Sequence, residues 1–514
     1  MDLTFNSALI TSLLGCVILF CYGAISFYLY VRRVEKAFEG FRTPPYHWLF
    51  GSLVKFPKEP EKRLYHYYKI CNEYEQDGVV FLWGLFRRPL VVVCTPESMA
   101  KICKSNAPKA QGLLSARHLF KQWLGEGLVL ANGERWARNR RLLTPAFHFD
   151  ILKGYTDVFN RAADVLVAKL RGKAAKKERV EMYETLSLCT LEIILKCAFS
   201  CDKDIQKSGD PYEETVNRMT PSVFYRIVHP YLLFDFLFRI TKVGQQFKKD
   251  CDFLHSVAEE IIDKRQKALD EGVKVGVDGK RYVDFLDILL TARDEEGVGL
   301  SRLEIRQEVD TFLSGGHETT ASTALWVLYS LAGNPDYQLK CQQEVDQVLE
   351  GRDSDVIKWS DLPKFEFLTQ CIKEAMRLHG PVPIASRDVE VGFELGGRKL
   401  PEGTIVQLNI VALHHKESVW GLDHMEFKPE RFSPENISKM SPFQFVPFSA
   451  GSRNCIGQHF AMNEEKVLLA KMLRNFTFRL DPTHVVKKTY SNVMRPADGM
   501  FVYAEERNVR TGEE

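Results

Sequence analysis

The stretch "FSAGSRNCIG", residues 448–457, decides how the rest of the chain is read. A cysteine buried for packing prefers apolar neighbours and is inert there. Cys455 instead follows a polar Gly-Ser-Arg-Asn run and precedes Ile-Gly. The residues after it, "QHFAMNEEKVLLAKMLRNF", carry a helical pattern, so the thiol lies just upstream of a helix N-terminus. The dipole and free N–H groups there favour a thiolate, and Arg453 adds positive charge. Gly451 permits a tight turn, Gly457 permits a bulky group to approach the backbone, and Phe448 shelters the sulfur. Such a loop suits a nucleophile, a redox thiol or a metal ligand. It offers no adjacent base for a nucleophile. A haem iron needs one axial protein ligand, an apolar pocket and basic groups for its propionates.

The chain has 514 residues, is 45% apolar and carries 69 basic against 67 acidic residues, for a net charge of +2. That is ample for a large core and gives no field favouring nucleic acid. Twelve cysteines are scattered with no CxxC pair, which disfavours a zinc ribbon and fits a reducing compartment. Cys197 and Cys201 read as packing residues. No Gly-rich dinucleotide loop is present, so the chain shows no dinucleotide site of its own.

Residues 8–31, "ALITSLLGCVILFCYGAISFYLYV", contain no charge and are long enough to cross a bilayer as a helix. Arg32, Arg33 and Lys36 follow at once, which places the body of the protein on the cytosolic side. The expected organisation is a membrane anchor over 1–31, a basic, Pro-containing hinge over 32–50, and a catalytic domain over 51–510. "VVFLWG" (79–84) and "PLVVVC" (89–94) predict a hairpin, and short strand signals return near 389–411. Long helices are predicted at 151–171, 182–200, 244–270 and 302–333. The fold class is therefore mainly α with a small β part, preceded by an N-terminal transmembrane helix. The aromatic stretch 223–240 reads equally as a segment dipping into the membrane face or as a core helix pair.

The cysteine loop matches the pattern F-x-x-G-x-R-x-C-x-G, and the chain resembles the cytochrome P-450 haem-thiolate monooxygenases over nearly its whole length beyond the hinge. Further matches occur in order. "KEAMR" places Glu374 and Arg377 on one helix face, and with Arg431 of "PERF" (429–432) the resemblance implies a network supporting the haem core. "WARNR" and "IASR" supply Trp136, Arg140 and Arg387, which with Arg453 are expected on the haem propionates. "GGHETT" (315–320), at the centre of the longest helix, implies an oxygen-binding groove. Gly315 and Gly316 open space there, Thr319 hydrogen-bonds dioxygen and Glu318 relays protons.

"RLLTPAFHFDILK" (141–153), "EVDTF" (308–312), "LTQCIKEAMRLHGPVP" (368–383) and "PFSAGSRNCIGQHFAMNEEKV" (447–467) resemble family four, the fatty-acid omega-hydroxylase branch, particularly its F-type members. The resemblance implies attack at or near the terminal carbon of long-chain fatty acids or oxygenated derivatives. It implies O2, haem b, NADPH–cytochrome P-450 reductase, cytochrome b5 as an additional partner, and an endoplasmic reticulum membrane location. Phe312, Leu313, Gly315, Gly316, Ile384 and Ala385 are the candidate substrate contacts. Arg138, Arg141 and Lys466 are candidate docking charges for the reductase. Many members of the branch carry Glu at the position of Gly315, esterified to a haem methyl. Glycine cannot form that ester, so the haem is expected to be non-covalent. Ser452 stands where proline is common. A haem-thiolate isomerase or dehydratase, and a non-enzymatic haem-binding membrane protein, are the alternative functions.

Overall fold

The computed structural model describes residues 2–272, 284–490 and 493–508. The segment most exposed to lipid-like contact comes first. Helix α1 (Asp2–Ala37) is the one helix among the described residues long and apolar enough to cross a membrane, and its Thr11–Ala37 part has a mean hydropathy of 2.0. It does not stop at residue 31 as the charge pattern suggested. Arg32, Arg33 and Lys36 are strong helix formers and carry the helix on to Ala37. Its last turns join the body. Val34 and Phe38 are buried, Arg87 reaches Glu35 at 2.7 Å, and Phe38 stacks on Phe81 with centroids 4.0 Å apart.

The small β part begins with β1 (Val79–Trp83) and β2 (Pro89–Val93), paired antiparallel with Val79 opposite Val93. β3 (Ile384–Asp388) and β4 (Ile405–Asn409) complete the sheet in the order β1-β2-β4-β3, with β4 parallel to β2. Every residue of β1 and β2 is buried. That explains why both read as continuous apolar runs rather than alternating ones.

The helical part is built from α2 (Pro60–Glu73), α3 (Gly133–Leu143), α4 (Phe149–Ala175), α5 (Met182–Phe199), α6 (Lys242–Asp270), α7 (Arg302–Ala332), α8 (Glu366–His379) and α9 (Gln458–Asn475). The capping box Ser301–Glu304 starts α7, the Ser301 hydroxyl accepting from the Glu304 N–H and the Glu304 carboxylate from the Ser301 N–H at 2.8 Å. Caps of this kind contribute about 1 kcal/mol. From Val309 to Leu331 most of α7 is buried, and it packs against α5, α8 and α9 through the centre of the body. Every long helix predicted from periodicity is present, three of them within two residues of their expected ends, and the fourth runs four residues further, to Ala175.

The aromatic stretch 223–240 is neither a core pair nor one long helix. It forms helices at Pro221–Val228 and Asp235–Arg239 joined by a 3-10 turn. Arg226 turns inward, donating to the carbonyls of Leu232 and Leu233 and to Asp235 at 2.8 Å. Tyr231, Phe236 and Ile240 are left more than half exposed, and Phe234 lies 6.2 Å from Phe86. Arg226 is satisfied inside, with Asp235 capping it from the surface, and the exposed apolar residues form a surface patch.

Candidate active site

The loop before α9 is set by backbone contacts. Gly451 has φ +73°, and a Cβ there would lie 1.9 Å from the Cys103 carbonyl oxygen, so no other residue fits. The Cys455 N–H donates to the Phe448 carbonyl at 2.9 Å, closing the loop. Arg140 of α3 donates to both the carbonyl and the Oδ1 of Asn454, each at 2.9 Å. The sulfur opens into an internal cavity of about 820 Å³, which Phe448, Gly457, Phe147, Trp136 and the α7 stripe also line. A Cβ on Gly457 would face Phe147 and the Cys455 sulfur at 3.8 and 4.0 Å, so its absence keeps the space above the sulfur clear. Burial pushes the Cys455 thiol up, while the Gly457 N–H and Arg140 draw it back down. Burial thus opposes the anion that the loop N–H and Arg140 favour. The charge beside the sulfur is Arg140, whereas Arg453 donates to the Ala131 carbonyl at 2.7 Å and stacks over Trp136 at 3.7 Å. A metal bound at the sulfur would supply the missing stabilisation of the anion.

A group of cations lies beside the loop. Lys109, absent from the sequence reading, pairs with Arg387 in an isolated β-bridge, half-buried beside the buried Arg387 and near Arg453. Burial, followed by the charges of Arg387 and Arg453, lowers Lys109 to about 7. Burial, Arg387 and Arg140 lower Arg453 to about 10. Lys109, Arg140, Arg387 and Arg453 have no ion-pair partner among the described residues. Basic groups gathered without a counter-ion suit an anionic ligand. Arg387 lies behind the cavity wall, whereas Lys109, Arg140 and Arg453 reach it. Lys109 was missed because its loop, "NAPKAQG", carries no motif, and only the bridge to Arg387 places it.

Along α7, Phe312, Gly315, Gly316, Thr319, Thr320 and Thr323 line the cavity, the i, i+3, i+4 stripe of one helix face. Leu313 and Glu318 fall off that stripe, which corrects both expectations. Leu313 is fully buried, its carbonyl accepting from His317. Glu318 is 2% exposed and sits near Tyr183, Tyr212 and Glu213, away from the cavity. Thr319 is on the cavity wall and Glu318 is not. The glycines also differ. A Cβ on Gly315 would meet nothing, whereas one on Gly316 would lie 2.8 Å from Ile194 of α5. Only Gly315 is needed for open space, and Gly316 admits the neighbouring helix. Ile384 and Ala385 line the cavity as expected.

Behind the loop, Glu374 and Arg377 are fully buried and joined by two hydrogen bonds of 2.7 and 2.8 Å. Arg377 also donates to the carbonyls of His414, His424 and Glu426, and Arg431 approaches Glu374 at 3.4 Å. The three expected members are brought together. His414 carries the connection forward, its Nε2 accepting from the Val446 N–H at 3.0 Å, nine residues before the cysteine. Of the candidate docking charges, Arg138 is occupied by Asp294 at 2.6 Å, Arg141 pairs with Glu295 while remaining exposed, and Lys466 donates to the Leu362 carbonyl.

One sulfur open to an apolar cavity, a ring of uncompensated cations and a clear helix face above it define a haem-thiolate site. Residues 42–503 match the family described as Cytochrome P450, and the chain belongs to that family; it is a monooxygenase. It is 39% identical over 470 residues to rat Cytochrome P450 4F6, covering 88% of this chain and 87% of that one. It is 38% identical to mouse Leukotriene-B4 omega-hydroxylase 3, covering 91% and 89%. It is 37% identical to human Ultra-long-chain fatty acid omega-hydroxylase, covering 93% and 90%. The family uses a haem, dioxygen and a redox partner, and the apolar N-terminal helix suits membrane anchoring.

Proposed function

We propose that the protein hydroxylates long-chain fatty acids or their oxygenated derivatives at or near the terminal carbon, using haem b held without a covalent link. The names of two relatives support the substrate class. The observation that carries the site is the cavity in which Cys455, the unpaired cations and the Thr319 face meet. Cys455 would hold the iron through its sulfur. Trp136, Arg140, Arg453 and Lys109 would hold the propionates, with Arg387 behind them and Phe448 covering the sulfur. When bound, the haem supplies dioxygen activation and insertion of one oxygen atom into a C–H bond.

The chain's own contribution is a shaped apolar space and a proton. The Thr319 hydroxyl donates to the Gly315 carbonyl at 2.8 Å and can rotate to donate into the cavity. Thr319→Ala should lower product formed per NADPH by about tenfold or more, with peroxide accounting for the difference. Unchanged coupling would remove Thr319 from proton delivery. Gly315 offers no carboxylate toward the cavity, so all the haem should pass into acidified organic solvent. Porphyrin retained on the protein would contradict the non-covalent assignment. Electrons would come from NADPH–cytochrome P-450 reductase, with cytochrome b5 as a further donor. The seat would be the endoplasmic reticulum membrane with the body in the cytosol. The exposed Tyr231, Phe236 and Ile240 patch would rest in the same leaflet as α1. The test of the whole reading is product identification after incubating the holoenzyme with mixed fatty acids, reductase and NADPH. Oxidation confined to other compounds would overturn it.

A further inference from the structure

Six basic residues line the cavity: Arg63, Arg88, Lys109, Arg117, Arg140 and Arg453. Lys109, Arg140 and Arg453 belong to the haem end. Arg88 is engaged by Asp388 and the Gly403 carbonyl, and Arg117 by Glu126 and the Leu130 carbonyl. Arg63 remains. It projects from α2, on the side of the sheet, and is 3% exposed. Its guanidinium donates to the carbonyls of Leu53 and Pro57, at 3.1 and 3.3 Å, and to the Tyr490 hydroxyl, and lies over the Phe56 ring. Among the described residues it has no carboxylate partner. The one carboxylate on the cavity wall, Glu465, sits with Thr323 of α7.

The groups around Arg63 are donors set into an apolar wall. The Tyr490 hydroxyl faces the guanidinium, and Tyr67 lies between Arg63 and Gln407. The Gln407 side chain is more than nine-tenths buried, and its Oε1 has no hydrogen-bond partner. Its NH2 already faces the Tyr67 hydroxyl, beside the same space. A buried guanidinium, two phenols and an unsatisfied amide are the complement of a carboxylate. None of them adjoins Cys455 or Thr319.

The geometry points to Arg63, with Tyr490, Tyr67 and Gln407, as the binding site for the carboxylate of the lipid substrate. This rests on the fatty-acid reading above and gives it a physical cause. A chain tethered by its polar end at α2 runs through the apolar cavity and presents its far methyl end at the sulfur side. Position of attack is then set by anchoring at the opposite end as well as by width above the iron.

The test uses purified holoenzyme and two probes of equal chain length, hexadecanoic acid and its methyl ester. Each is titrated by the substrate-induced change in the haem spectrum, at a pH where the acid is ionised. The wild type should bind the acid more tightly than the ester. Arg63→Met, which keeps the aliphatic stem, should bind the acid about tenfold or more weakly while its affinity for the ester holds, as expected for losing a hydrogen bond to a charged group. Tyr490→Phe removes one hydroxyl and disturbs the fold less than the arginine change. It should weaken acid binding several-fold, again without affecting the ester. Equal losses for acid and ester in both variants, or no preference for the acid in the wild type, would overturn the assignment. The titration needs no turnover. A protein that shows the Arg63-dependent preference but oxidises no fatty acid would refute the functional reading and leave the carboxylate site standing. Where turnover is seen, Arg63→Met should spread products inward from the terminal carbon.

Discussion

Cys455→Ser abolishes the thiolate-type carbon monoxide spectrum and, with it, all NADPH-dependent product. The serine hydroxyl fills nearly the same volume at the floor of the cavity, and the loop around it is held by the backbone and by Arg140 on Asn454. The fold should therefore persist, so the loss can be assigned to the sulfur itself. An alcohol is far less acidic than a thiol and does not ligate iron as its anion at neutral pH. Without sulfur to donate electron density, cleavage of the oxygen–oxygen bond is no longer favoured. The spectrum of the reduced, carbon monoxide-treated protein checks this directly. A thiolate-type band surviving in Cys455→Ser would mean that another of the chain's cysteines is the ligand.

Glu374→Ala should be the most destabilising single change away from the cavity. It leaves the Arg377 guanidinium fully buried with its two carboxylate bonds gone, and it removes the acceptor of the Lys428 N–H. Breaking one partner of a buried pair costs about 3–5 kcal/mol, against a total stability of roughly 5–15 kcal/mol for a domain. The same carboxylate faces Arg431, so three segments lose a common partner. The expected result is a protein that accumulates poorly, unfolds at a markedly lower temperature and retains little haem. Glu374→Gln keeps the shape and part of the bonding and should fall between. Thermal unfolding and haem content per mole of protein measure both. Wild-type values for Glu374→Ala would show the pair to be dispensable and the path from α8 through His414 to the cysteine loop to be without effect.

Much of this was legible before any coordinates. The cysteine loop, the Glu374–Arg377 pair and the long helices are local patterns, with partners a few residues apart or set by helix period. Reading failed where the answer depended on three-dimensional neighbours. Lys109 is placed by a bridge to Arg387, 278 positions later in the sequence, and no local signal marks it. The "GGHETT" motif was read as six residues with one purpose. The helix instead sets Gly315, Gly316 and Thr319 on the cavity wall, with Gly316 also close against Ile194, and turns Glu318 toward Tyr183 and Tyr212. Arg138 looked like a free charge because its partner, Asp294, lies on a distant loop. Arg63 carried no signal either, since an arginine in an amphipathic helix is ordinarily solvated.

The end of α1 is more than a tether. Phe27 and Tyr30 stand in the wall of the same cavity that holds Cys455, while Val34 and Phe38, a turn or two further on, are sealed in the body. An apolar molecule dissolved in a bilayer around α1 would meet those two rings without first passing through water. The concentration that governs occupancy is then the one reached in the leaflet, and affinities measured in detergent shift with the volume of the hydrocarbon phase.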